Sequence, residues 1–170
     1  MRDDGRESRG SSGGRGRPPV GVRILVVEDS PSARKLMQEL LLHLGATLPD
    51  LRLSSSVGEA MQVFTQWRPE YVFVDLELRP PPDMTSAQLA AQPAPANSPK
   101  NGAELALRFL ERDPGLKVIV CSASEPTGTV VADLVRQGKV KAIIKPVLAA
   151  RVQEALDSFA PAPDASTRRR

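Results

Sequence analysis

The 170-residue chain has one cysteine, one histidine, one tryptophan and one tyrosine, and its longest apolar runs, such as Ile24 to Val27 and Leu40 to Leu42, are short. A lone cysteine cannot close an internal disulfide. Runs of that length fall far below the ~20 residues of a membrane-spanning helix. No apolar stretch precedes Val22 that could serve as the core of a signal peptide. The expectation is a cytoplasmic chain with no membrane insertion. Also missing is a basic body, although a net charge of +3 and a pI near 9.3 invite the idea of a nucleic-acid binder. Residues 1–19 hold five arginines against three acids, and 161–170 hold three against Asp164, so the tails carry +4. Residues 20–160 carry 15 Lys/Arg and 16 Asp/Glu, a charge of −1. The positive excess belongs to the ends, and no nucleic-acid partner is expected.

Residues 1–21 contain six of the 12 glycines, mixed with Ser, Arg and Pro. Such a segment cannot bury enough apolar surface to offset its ordering entropy, so a disordered tail is expected, with a second basic one over 161–170. Between them, 22–160 has the length of one ordinary domain. Residues 79–100 interrupt it with six prolines and no periodic apolar face. A loop this long is uncommon in a compact domain and is usually functional or disordered. Thr85 to Gln92 has the composition of two helical turns, which Pro93 and Pro95 would end.

Elsewhere strands and helices alternate. Arg23 to Glu28 is an apolar run ending in acids, as expected of a strand covered on both faces. Ser30-Pro31 opens a helix with Ala33, Leu36, Met37, Leu40, Leu41 and Leu44 at helical spacing, closed by Gly45. Leu51 to Ser55 reads as a second strand, and Ser56 with Glu59 as a capping box for the helix carrying Ala60, Val63, Phe64 and Trp67. Tyr71 to Asp75 is the third strand, Asn101 to Arg112 a helix, and Lys117 to Cys121 the fourth strand. Glu125 to Gln137 reads as a helix, Lys141 to Lys145 as the fifth strand, and Val147 to Phe159 as the last helix. Five strand–helix pairs indicate an α/β fold, a parallel sheet with helices on both faces.

Ligands of an open parallel sheet sit beyond the carboxyl ends of its strands. There the chain delivers Glu28 and Asp29 after strand one, Asp75 after strand three, Ser122 after strand four, and Lys145 with Pro146 after strand five. Three ionised carboxylates in one crevice repel one another unless a cation compensates. With oxygen donors and no His or Cys to recruit, Mg²⁺ fits better than Zn²⁺. A lysine and a hydroxyl beside such a cation suit phosphoryl transfer, with Asp75 as the candidate nucleophile. Asp75 taken alone reads better as a cap for the segment after it. The other four residues make that reading insufficient. His43, near the end of the first helix, and Cys121, on an apolar strand, are read as structural.

Ile24-Leu-Val-Val-Glu-Asp-Ser-Pro-Ser-Ala-Arg34, Val72-Phe-Val-Asp75, Ile119-Val-Cys-Ser-Ala123 and Ile143-Ile-Lys-Pro146 resemble the receiver domain of two-component response regulators, most of all the single-domain chemotaxis type. The resemblance covers about residues 22–160. It implies a flavodoxin-like, doubly wound (βα)5 fold with strand order 2-1-3-4-5. It implies Asp75 as phosphoacceptor, Asp29 as a direct Mg²⁺ ligand, Glu28 acting through a metal-bound water, and the backbone carbonyl of Glu77 completing the site. Lys145 would contact the phosphoryl group, Ser122 would swing toward it, and Ala123 would stay small to admit it. Autophosphorylation and autodephosphorylation, both Mg²⁺-dependent, are implied. The expected partners are a sensor histidine kinase or phosphotransfer protein and an unidentified downstream protein, with the chain a monomer or weak dimer.

The sequence departs from that family in three places. The connection from the third strand to the helix at Asn101 to Arg112 carries the 79–100 insertion beside the phosphoacceptor, the aromatic often found on strand five is Ala142, and Ser122 replaces the commoner Thr. With only residues 161–170 beyond the domain, a stand-alone regulator signalling by protein contact is expected, through the surface of the fourth helix, fifth strand and fifth helix. Two rival expectations are a phosphorylation-independent receiver-like adaptor governed by the insertion, and a phosphatase of the haloacid dehalogenase type. The second places its nucleophile on the first strand with another Asp two residues on, whereas Asp75 lies mid-chain and is followed by Glu77.

Overall fold

A computed structural model of the chain describes residues 21–79, 99–127 and 129–159. The two tails, nearly all of the 79–100 insertion and the helical turns expected at Thr85 to Gln92 lie outside the described residues. The strands are β1 (Ile24–Val27), β2 (Leu51–Ser54), β3 (Tyr71–Asp75), β4 (Lys117–Ser122) and β5 (Val140–Ile144). The α-helices are α1 (Pro31–His43), α2 (Val57–Trp67), α3 (Gly102–Arg112), α4 (Val130–Arg136) and α5 (Ala149–Asp157). All strand pairs are parallel, in the order β2-β1-β3-β4-β5. This is the expected α/β flavodoxin-like fold.

Period-two alternation sorts the strand side chains into two cores. Leu25, Val27, Val72, Val74, Val118, Val120 and Val140 face α2, α3 and α4, where Phe64 stacks on Phe109 with ring centroids 4.5 Å apart. Ile24, Val26, Tyr71, Phe73, Ile119, Cys121 and Ile143 face α1 and α5, meeting Met37, Leu41, Val152 and Leu156. Each fully buried aliphatic or aromatic side chain of this kind contributes about 1.5–3 kcal/mol relative to exposure. Because both faces are covered, the ligand-accessible part of the sheet is its edge. The order reverses at β1, so the crevice opens beyond the ends of β1 and β3.

The caps follow the sequence with corrections. Ser30 Oγ accepts from the amide of Ala33 at 3.4 Å, and Gly45 takes the left-handed φ of +108° that ends α1. Ser56 Oγ accepts from Glu59 N, but the reciprocal arm of the box is shifted by one residue: the Glu59 carboxylate takes the amide of Ser55 at 2.7 Å and the hydroxyl of Ser54. The helix expected at Glu125 to Gln137 begins only at Val130, where Thr129 Oγ1 accepts from Ala132 N at 3.2 Å, which leaves Glu125 to Thr127 in a loop. Pro126 is compatible with a first turn, so the start is set by the Thr129 cap together with the burial of Val131 and Ala132 in the helix that follows it. The last helix is likewise shorter than Val147 to Phe159, and β5 starts at Val140 and stops at Ile144, so Lys145 follows the strand. Strand one is confined to Ile24–Val27, which puts Glu28 at the loop.

Candidate functional site: an acidic crevice at the carboxyl edge of the sheet

β1 and β3 run side by side with Val27 opposite Val74, so the residues that follow them, Glu28 and Asp29 on one and Asp75 on the other, meet at the switch point. One carboxylate oxygen from each of Glu28, Asp29 and Asp75 lies within 4.8 Å of the other two. Asp75 and Glu28 are buried, 4% and 7% exposed, a costly place for carboxylates without compensation. The compensation is Lys145, whose Nζ donates to Asp75 Oδ2 at 2.9 Å and to Glu28 Oε2 at 3.3 Å. The lysine reaches them from the end of β5 because its own amide donates to the Ser122 carbonyl at 2.8 Å.

Backbone amides fix the rest. Glu77 N donates to Asp75 Oδ1 at 3.0 Å, Ser30 N to Glu28 Oε1 at 3.2 Å, and Arg79 N to Asp29 Oδ2 at 3.2 Å. Leu76 N donates to the Cys121 carbonyl at 2.9 Å, and Leu78 is buried in the core, so the chain leaving Asp75 is fastened as far as Arg79. On the far side of the insertion, Asn101 caps α3 through Glu104 N at 2.9 Å. Gly102 then lies so close to β3 that a Cβ there would sit 1.8 Å from the carbonyl oxygen of Asp75.

Burial, and then the charge of Asp75, raise the Glu28 carboxyl above its ordinary range, against the hydrogen bonds from Ser30 and Lys145. Burial alone would lower Lys145, but the hydrogen bond to Asp75 and the charges of Asp75 and Glu28 outweigh it, holding the ammonium above the ordinary lysine value. Desolvation pushes the buried Cys121 thiol up to about 12, which keeps it protonated and consistent with a core role. Ser122 is buried, and its Oγ accepts from Ser124 N at 3.3 Å. Ala123, next in the chain after Ser122, is exposed, and His43 is exposed at the end of α1, away from this set.

The donor set is all oxygen, three carboxylates converging on one crevice with Glu28 and Asp75 buried, and those two already draw a cation in the form of the Lys145 ammonium. That chemistry fits a hard divalent ion such as Mg²⁺. The structure thus brings together Glu28, Asp29, Asp75 and Lys145, with Glu77 alongside. The sequence did not reveal two further participants. One is the Arg79 amide, and backbone donors leave no signal in residue type. The other is Arg34, whose Nη1 donates to the carbonyls of Glu28 at 2.7 Å and Asp29 at 3.3 Å. Its position one turn beyond the acidic pair was the available signal.

No family model matches the chain. It is 25% identical over 138 residues to the chemotaxis protein CheY of Thermotoga maritima, covering 81% of this chain and 97% of that protein. It is 26% identical over 139 residues to the chemotaxis protein CheY of Listeria monocytogenes, covering 82% and 98%. In fold it matches the CheY4 chemotaxis protein of Vibrio cholerae with a TM-score of 0.59 at 13% identity, over 82% of this chain and 98% of that one. The chain thus has the fold of receiver domains and is similar in sequence to chemotaxis response regulators. The fold also matches the response regulator TrrA of Thermotoga maritima, a structure in complex with Mg²⁺-BeF, with a TM-score of 0.59 at 19% identity over 82% and 99% of the two chains. No helix among the described residues is long and apolar enough to cross a membrane.

Proposed function

We propose that this receiver domain accepts a phosphoryl group on Asp75 in a Mg²⁺-dependent reaction and passes the resulting state to a protein partner. The observation that carries the reading is the convergence of Glu28, Asp29 and Asp75 oxygens within 4.8 Å, with Lys145 Nζ at 2.9 Å from Asp75. Glu28, Asp29, Asp75 and the carbonyl of Glu77 would hold the ion, which when bound neutralises charge on the phosphoryl oxygens. An Asp75 oxygen attacks phosphorus, forming the P–O bond as the bond to the donor's imidazole nitrogen breaks. The donor is a phosphohistidine of a sensor kinase or phosphotransfer protein. Lys145 meets the incoming phosphoryl oxygens as a point charge, and the Ser122 hydroxyl gives up Ser124 N to donate toward them. Hydrolysis of the acyl phosphate resets the domain.

Supporting the partner-contact part is the groove between α4 and α5 across β5, about 800 Å³ in volume and lined by Thr127, Val135, Ala142, Ile144, Leu148 and Arg151. Incubation with acetyl phosphate and Mg²⁺ followed by intact-mass measurement tests the chemistry. The wild-type chain gains one phosphate, and Asp75→Asn or omission of Mg²⁺ abolishes the gain. A folded wild-type chain that never gains the mass would refute the reading and favour the phosphorylation-independent adaptor.

A further inference from the structure

Arg34 closes the first turn of α1, where the helix dipole disfavours a cation. Its two contacts explain the placement. Nη1 donates to the Glu28 and Asp29 carbonyls, which belong to successive peptide units, each planar. Holding the first oxygen fixes the plane from which the Asp29 side chain departs. Holding the second fixes the direction of the Ser30 N–H in the same unit, and that N–H donates to Glu28 Oε1 at 3.2 Å. A rigid two-peptide link therefore runs from the guanidinium to the aim of both carboxylates.

We propose that Arg34 is the positioning residue of the acidic crevice: through the 28–29 and 29–30 peptides it holds the Glu28 and Asp29 carboxylates in the geometry that binds a divalent cation. This rests on reading the crevice as a Mg²⁺ site. Arg34 reaches the ion only through the backbone, and its effect has a sign that a bystander charge does not share. Removing a nearby positive charge by itself makes cation binding tighter. Removing a group that orients the ligands makes it weaker, by about 10–100-fold where such partners have been removed from metal sites.

The test titrates the full chain with Mn²⁺, following the signal of the free ion by electron paramagnetic resonance, with thermal melts in EDTA alongside. Arg34→Ala is expected to weaken Mn²⁺ binding about tenfold or more. Arg34→Gln removes the same charge but keeps an amide donor, and its affinity falls between Arg34→Ala and wild type. It carries the test alone if Arg34→Ala does not fold. Equal or tighter Mn²⁺ binding in the variants overturns the assignment, as does a lower melting temperature with unchanged affinity, which would make Arg34 only a brace for the loop. Absence of Mn²⁺ binding in the wild-type chain would sink the metal reading, and the role of Arg34 with it.

Discussion

Around the ends of β1 and β3, three carboxylates are held by three backbone amides and Lys145, whereas around β5 apolar side chains border an open groove. Ile144 and Leu148 are 39% and 56% exposed there, while Asp75 is 4% exposed. The usual sorting of polar outside and apolar inside is inverted between the two flanks. Each inversion is costly by itself, and each fits a different task. Chemistry on a carboxylate needs fixed geometry with water excluded. Docking of a partner needs apolar area that is accessible beforehand. The first flank is fixed by many short contacts, and the second is filled loosely enough to accept change.

The sharpest way to break the first flank is at Gly102. Its Cβ position lies 1.8 Å from the Asp75 carbonyl oxygen, 2.8 Å from the carbonyl carbon and 2.9 Å from Leu76 Cα, all backbone atoms that cannot turn aside as a side chain could. Gly102→Ala forces α3 and the end of β3 apart. Overpacking of this kind costs about 3 kcal/mol, to be read from the urea midpoint. Phosphate gain from acetyl phosphate is expected to drop as well, because Asp75 moves with its backbone. A variant as stable as wild type would mean that α3 is not seated on β3 as described.

A second test separates the stability of the acidic crevice from its function. The raised Glu28 carboxyl holds a proton in the folded state, between its ordinary and raised values, that the unfolded chain has lost. Stability therefore falls as pH climbs through that window, and above it the ionised Glu28 opposes folding in full. Glu28→Gln, permanently neutral, is expected to melt above wild type at pH 7 in EDTA, with the gap closing as pH falls through the window. In excess Mg²⁺ the wild type regains ground that the variant cannot. The Lys145 contribution runs in the same direction at higher pH: it is present below the ordinary lysine value and is lost as pH rises through its raised one, so it leaves the comparison at pH 7 untouched. A wild type that melts above Glu28→Gln in EDTA would show that the pairing with Lys145 outweighs repulsion and burial.

The parts legible in the sequence are those governed by side-chain type and short-range period. Tyr71 to Asp75 is the third strand residue for residue, and the alternation of Ile24, Leu25, Val26 and Val27 between two cores follows from the strand period. Glu28, Asp29, Asp75 and Lys145 were legible because each is a polar group at the end of an apolar run. The start of α4 was not, because Glu125 to Val130 holds both an acidic first-turn candidate and a Thr cap, and only packing of Val131 and Ala132 against the sheet chooses between them. The shifted arm of the Glu59 box and the Arg79 amide on Asp29 were hidden for another reason. They depend on where the backbone runs after a turn, which residue types leave open.

The smallest expected effect lies on the second flank and gives the comparison its control. Ala142 lines the groove beside Val135 and Ile144, where a ring can lie against apolar neighbours with its hydroxyl in solvent. Ala142→Tyr therefore replaces open volume without displacing packed atoms, and its urea midpoint is expected to change by less than about 1 kcal/mol. Mn²⁺ affinity should stay within about twofold of wild type, since single substitutions without shared partners behave independently. The crevice and the groove sit on neighbouring strand ends, with Ser122 opposite Ile144 in the β4–β5 register, so independence is a demanding outcome. If Ala142→Tyr changes the affinity of the crevice while leaving the fold intact, the flanks are coupled through the β4–β5 edge. The groove would then be a part of the site's own packing rather than a surface held apart for a partner.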